Sequence, residues 1–271
     1  MLEWNLTVKK IIREVIRESR ETPEKWVSYL MLMILLGLAF VLPVYAVRYQ
    51  EQQNREKQET LQESGILLTQ ERQSEAEQQK GTIVLDPGHG GFDNGMVGES
   101  GISEKVLNLI YAQKLSAVLE ARGYRVVLTR TTEDGLYDED VSNKKAQDMQ
   151  RRCAVIEKEQ PLLTVSIHQN SYAADPSVRG PQVFYYEHSV EGEKLAKSIQ
   201  DCMNEQLAIA RPRVQKSNGS YYILKRSASV TVLAEVGFLT NPEEEALLQE
   251  EAYQEKAVQA IADGIEAYLA G

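Results

Sequence analysis

From residue 81 onward, short apolar runs alternate with longer amphipathic stretches. Runs rich in Val, Ile, Leu and Thr predict strands at 82–85, 125–129, 162–167, 181–186 and 230–234, with a weaker one at 221–224. The stretches between them repeat apolar residues every three or four positions and predict helices at 103–122, 143–159, 191–208 and 253–269. In the first of these, Leu107, Tyr111, Leu115 and Val118 share one face, and Gly123 supplies a stop. Strands and helices in alternation predict an α/β domain over 81–271. Its fold would be a single open sheet, mixed or mostly parallel, with helices on both faces.

The pattern before residue 81 differs. Residues 26–47 contain no charged side chain. Roughly 20 apolar residues suffice to cross a bilayer, so this run predicts a transmembrane helix. Lys9, Lys10, Arg13, Arg17, Arg20 and Lys25 precede it and outnumber the cations just after it. That asymmetry predicts a cytoplasmic segment 1–25 and an extracytoplasmic remainder. Trp26, Tyr29 and Tyr45 lie near the ends of the run, where aromatic rings favour the interface. Val44-Tyr45-Ala46 also fits a signal-peptidase site, but the long leading segment favours a retained anchor over a cleaved signal. Residues 48–80 are rich in Gln and Glu and read as a solvated, partly helical linker.

The net charge of −10 argues against a nucleic-acid partner, which requires a basic face. It equally rules out electrostatic capture of an anionic wall polymer, so any recognition must be local. Cys153 and Cys202 form no CxxC pair and fall in predicted helices, which favours two buried free thiols over a disulfide.

Chemistry concentrates at the ends of the apolar runs. The chain has three histidines, and two of them, His89 and His168, follow predicted strands. In open α/β sheets, ligands gather beyond the carboxyl ends of the strands. His89 sits in the glycine-rich turn Gly88-His89-Gly90-Gly91. Such a turn can cradle a phosphate or serve structure alone, but the absence of GKS/T and GxGxxG favours a metal ligand. Glu104 opens a predicted helix, where it either complements the helix dipole or folds back towards His89. His168 ends an apolar strand as a satisfied core residue would, but the polar Gln169-Asn170-Ser171 after it points to a cleft. Asn170 is expected to hydrogen-bond a ligand residue. His188 reads as surface. Glu235 ends the run 230–234, where a carboxylate is costly unless used. Two imidazoles and one carboxylate form the ligand set of a catalytic zinc site with a fourth position for water, and Glu235 fits a proton shuttle beside it.

These segments closely resemble the zinc-dependent N-acetylmuramoyl-L-alanine amidase family, often called amidase type 3. DPGHGG at 86–91, SIHxN at 166–170 and AEVGFLTNPEE at 234–244 occur together and in order. The resemblance covers about residues 81–269. It implies that His89, Glu104 and His168 bind zinc and that Glu235 is catalytic. It is strongest to the germination-specific, spore-cortex subgroup, through the apolar N-terminal segment, Phe184-Tyr185-Tyr186 and Lys144-Lys145-Ala146-Gln147-Asp148.

The activity so implied is hydrolysis of the amide between N-acetylmuramic acid and the L-alanine of the stem peptide. The setting would be cortex maturation with muramic lactam formation, in functional partnership with a peptidoglycan deacetylase. The enzyme would be membrane-anchored, its domain on the cell-wall or forespore intermembrane side. Three rivals remain. A zinc carboxypeptidase places its first histidine and glutamate three apart, whereas here they stand at 89 and 104. A non-catalytic wall-binding module would lack one of the four residues. A vegetative autolysin of the same chemistry usually adds wall-binding repeats or an inhibitory helix, and neither is found here.

Overall fold

The computed structural model describes residues 9–14, 16–17 and 23–271. Residues 1–8, 15 and 18–22 of the expected cytoplasmic segment lie outside the described residues. Contacts divide the chain into two units, Met1–Ala76 and Glu77–Gly271.

The first unit contains most of helix α1, Pro23–Gln78. Its stretch Leu30–Arg55 is long and apolar enough to cross a membrane. Leu30, Leu36 and Leu42 are exposed on it. The expected linker at 48–80 is helical almost throughout, because Gln, Glu, Lys, Arg and Leu are all good helix formers.

The second unit is built on a six-stranded sheet in the order β2-β1-β3-β6-β4-β5. The strands are β1 (Thr82–Pro87), β2 (Arg125–Leu128), β3 (Leu163–Asn170), β4 (Gln182–Tyr186), β5 (Lys216–Asn218) and β6 (Thr231–Phe238). All pairings are parallel except β4 with β6. The helices are α2 (Glu104–Ala121), α3 (Lys144–Glu159), α4 (Val190–Gln206), α5 (Tyr222–Arg226), α6 (Pro242–Gln249) and α7 (Glu251–Ala270). The mixed sheet covered on both faces agrees with the sequence reading.

Side chains alternate across the sheet with the two-residue period of a strand. Ile83, Leu85, Val232 and Ala234 face one side, where they join the core beneath α2, α4 and α7. Val84 and Leu233 face the other side and pack with Ile156 of α3 and Ile223 and Leu224 of α5. Four differences from the sequence reading stand out. Residues 222–224 belong to the short helix α5, with Tyr221 at its N-cap position, rather than to a strand. β5 is too short to leave a periodic signal. α6 is absent from the predicted helices; it starts at Asn241-Pro242, with Asn241 accepting from Glu244 N–H as its cap and Pro242 in the first turn. β3 and β6 also run past His168 and Glu235, so neither residue ends its strand.

On the α3 face, the sheet buries an ion pair that no apolar pattern announces. Arg152 donates to Asp86 Oδ1 at 2.8 Å and to Asp148 Oδ2 at 2.6 Å. Both members of the Arg152–Asp86 pair are almost fully buried. Thr129 and Ser166 hydroxyls donate to the two Asp86 oxygens at 2.6 and 2.7 Å. Burial pushes the Asp86 carboxyl up, but the Arg152 guanidinium and these hydrogen bonds outweigh it and bring its pKa to about 2.

Arg152→Met leaves Asp86 buried and unpaired, which costs about 3–5 kcal/mol. The Tm should therefore fall by roughly 10 °C for a unit of this size. In the wild type, the Asp86 pKa is depressed in the folded state relative to an unfolded value near 3.8. Its contribution is therefore complete above about pH 4 and lost as pH falls towards about 2. Thermal melts across that range should show a steep acid limb that Asp86→Asn flattens.

Candidate active site

Glu104 begins α2 and is buried. Its position is set by the loop before it, where Glu104 N–H donates to Met96 O at 2.7 Å and Met96 N–H returns a bond to Glu104 Oε2 at 3.0 Å. Glu104 Oε1 accepts from Gln169 N–H at 3.2 Å and from Asn108 Nδ2 at 3.3 Å. The same oxygen stands 2.9 Å from His168 Nδ1 and 3.1 Å from His89 Nε2. The two imidazoles meet edge to face at 5.0 Å. One donor atom from each of His89, Glu104 and His168 lies within 4.8 Å of the other two.

Backbone geometry makes this convergence possible. His89 adopts φ +63°, a left-handed conformation costly for a side chain with a Cβ. A Cβ on Gly88 would lie 2.2 Å from His168 Nε2, and one on Gly95 would lie 2.4 Å from Glu104 Oε2. Both glycines are therefore the space into which the donor groups pack. The turn is gripped from outside by two arginines. Arg152 donates to Pro87 O and His89 O, and Arg130 donates to Pro87 O and Gly88 O.

Glu235 lies in register with His168 across the parallel β3–β6 pair, and a register shift follows between His168 and Asn170. It is 7 % exposed. Its Oε2 has no hydrogen-bond partner among the described residues. Burial pushes its carboxyl up, the Glu104 charge adds to this, and His89 offsets it in part, leaving a pKa of about 8. These groups line a cleft of about 780 Å³.

The donor set fits a divalent cation. Two imidazoles and a carboxylate are hard-to-borderline donors of the kind zinc takes. The surroundings are negative as well: Asp93 Oδ2 stands 2.9 Å from His89 Nδ1. Burial opposes a charge on the His89 ring, yet Asp93 and Glu104 outweigh it and raise its pKa to about 9. The two carboxylates beside the ring make the site complementary to a cation.

The structure thus brings together all four residues singled out from sequence. His188 is exposed, as expected. Cys153 and Cys202 are free and only partly buried. Asn170 takes a different part from the one expected: its side-chain oxygen accepts from Ser171 N–H at 2.8 Å and caps the strand end. Asn108 fills that place instead. It bridges Glu104 and Gly88 O. Its spacing of four residues from Glu104 on a helix was the available signal. Arg152 was legible only as a charge on the otherwise apolar face of α3.

This architecture is that of α/β domains whose functional groups gather towards the carboxyl ends of parallel strands. Within that class, the chain belongs to the N-acetylmuramoyl-L-alanine amidase family, whose profile matches residues 83–267. It is 34% identical over 251 residues to the germination-specific N-acetylmuramoyl-L-alanine amidase of Bacillus subtilis, covering 90% of this chain and 94% of that protein. It is likewise 34% identical to the amidase LytC of Bacillus subtilis, over 69% of this chain but only 35% of LytC. Among solved structures, the CwlD amidase of Clostridioides difficile, in complex with the GerS lipoprotein, superposes with a TM-score of 0.68. It is 35% identical and covers 70% of this chain and 99% of its own.

Gly88→Ala should displace the His168 ring, since the new methyl and the ring cannot occupy one place. Amide hydrolysis is expected to fall at least tenfold while far-ultraviolet circular dichroism stays unchanged. A crystal structure of the variant should show His168 in a different rotamer.

Proposed function

We propose that the cleft binds one zinc ion through His89, Glu104 and His168, and that Glu235 shuttles the proton during hydrolysis of the muramoyl–L-alanine amide. The observation that carries this reading is a buried carboxylate with an unpartnered oxygen, in register with His168 and beside the donor cluster. When bound, zinc supplies Lewis acidity to the attacking water and to the amide carbonyl. Glu235 receives the proton from that water and delivers it to the departing alanine amine. Its burial raises the proton affinity of the carboxylate, which favours the first transfer. Asn108, Met96 N–H and Gln169 N–H hold Glu104 in place throughout. No serine or cysteine nucleophile is required.

The biological setting we propose is the spore cortex. Alignment to the germination-specific relative spans nearly the whole of both chains, whereas this chain matches about a third of LytC. Removal of the peptide frees the lactyl carboxylate. A deacetylase that frees the neighbouring sugar amine would then permit closure to a muramic lactam, which motivates a functional partnership with such an enzyme. Residues 26–47 would anchor the chain in the membrane, with 48–80 as stalk and 81–271 as the extracytoplasmic catalytic domain. Protease added to intact protoplasts should remove the domain and leave a membrane-bound N-terminal fragment.

Purified protein should contain close to one zinc per chain, and His89→Ala and His168→Ala should each lower this sharply. Glu235→Gln should retain the zinc and the fold, yet lose about 10²–10⁴ in rate. Mass spectrometry of digested peptidoglycan should find free stem peptide beginning with L-alanine and glycan lacking peptide. Peptide release by Glu235→Gln above a tenth of the wild-type rate, at unchanged zinc content, would falsify the shuttle role.

A further inference from the structure

The Lys144–Asp148 stretch forms the first turn of α3. Asp148 belongs to the Arg152 network. Lys144 pairs with Glu139 and lies over the Tyr137 ring at 5.3 Å. Lys145 instead lines the cleft, with its ammonium against Asp93 Oδ2. That same oxygen stands 2.9 Å from His89 Nδ1. The lysine is therefore within about two residue lengths (~7 Å) of the donor cluster.

The charges lining the cleft are unequal in kind. Asp86, Glu104 and Glu235 are carboxylates, and Lys145 and Arg152 are the cations. The Arg152 side chain is 1% exposed and engaged by Asp86, Asp148 and two carbonyls. The Lys145 side chain is 49% exposed. Among the described lining residues, Lys145 is the cation that faces the open cleft. Its tie to Asp93 is exchangeable, because Asp93 keeps the His89 ring and the Gly95 N–H, at 3.2 Å, when the lysine turns away. The lysine end of the pair is half exposed, so solvent screens it.

The substrate's charge is unequal too. In a muramoyl–alanine amide, the lactyl carboxyl is consumed by the bond and the sugar amine is acetylated. The glycan side of the scissile bond is therefore neutral, and negative charge resides on the peptide. We infer that Lys145 is a specificity-determining residue that binds the peptide carboxylate nearest the scissile amide, so that the start of α3 marks the peptide side of the cleft. The inference rests on the amidase reading above. The positive end of the α3 dipole acts in the same direction.

The test uses full-length K145M and K145R proteins in detergent micelles, beside wild type. Two synthetic muramoyl-L-alanyl peptides serve as substrates, with a free carboxylate or a primary amide on the residue after alanine. K145M should raise KM for the acid about tenfold, the loss of one charge-assisted hydrogen bond. Its kcat should stay within twofold, and its KM for the amide should not change. K145R should behave like wild type. Calorimetry should show the acidic peptide product binding K145M about tenfold more weakly, and the amidated product equally to both. An unchanged KM, an equal shift for both substrates, or a fall in kcat alone would overturn the inference, the last marking Lys145 as support for Asp93. Wild type that cleaves neither substrate would count against the amidase reading, and the binding comparison would still decide Lys145.

Discussion

The carboxylate of Glu104 is the point on which the site closes. A buried carboxylate is tolerated only when its oxygens are satisfied. Here one oxygen takes Met96 N–H, and the other takes Gln169 N–H and the Asn108 amide and faces both imidazoles. These partners come from the loop before α2, from α2 itself, from β3 and from the turn after β1. Satisfying one side chain therefore joins elements that the core alone would leave free to shift at their ends. The same negative charge holds the two histidines at a spacing that suits a cation, and it raises the proton affinity of Glu235 nearby.

A second constraint keeps the first in place. His89 occupies a backbone conformation that a residue with a Cβ adopts only at a cost of order 1–3 kcal/mol. The surroundings over-determine it. Arg152 and Arg130 bind the carbonyls from Pro87 to His89, and Asp86, one residue before Pro87, locks Arg152 by charge. The buried ion pair is thus more than a stability element of the sheet. It transmits the rigidity of β1 and α3 to the turn that carries a donor group. Buried pairs contribute little net stability over apolar replacements, and the geometry here gives this one a positional role.

The electrostatic layout also reconciles an acidic protein with an anionic polymer. The net charge of −10 offers no long-range attraction to a wall peptide. The cleft floor is itself carboxylate-rich. On the proposed reading, recognition would depend on a cation held in the floor and on the solvent-facing Lys145 ammonium at the wall, both acting at short range. Membrane attachment through residues 26–47, as proposed, would replace electrostatic capture with proximity.

Much of this was legible in the chain. Apolar runs and helical spacing determined the alternation of strands and helices, because burial of one face imposes those periods whatever the topology. His89, His168 and Glu235 stood out because a polar group at the end of an apolar run is costly and therefore used. Other features required the tertiary structure. Strand order and the antiparallel β4 leave no mark on local periodicity. The pairing of His168 with Glu235 is a matter of register between strands far apart in sequence. Asn108, Asp93 and Lys145 are ordinary polar residues on helices and loops, and the charge of Arg152 on the apolar face of α3 finds its partner only when α3 is laid on the sheet. Sequence patterns report how each segment divides between water and core. Which polar groups then face one another is decided only when the segments pack, since hydrogen bonds form only at about 3 Å.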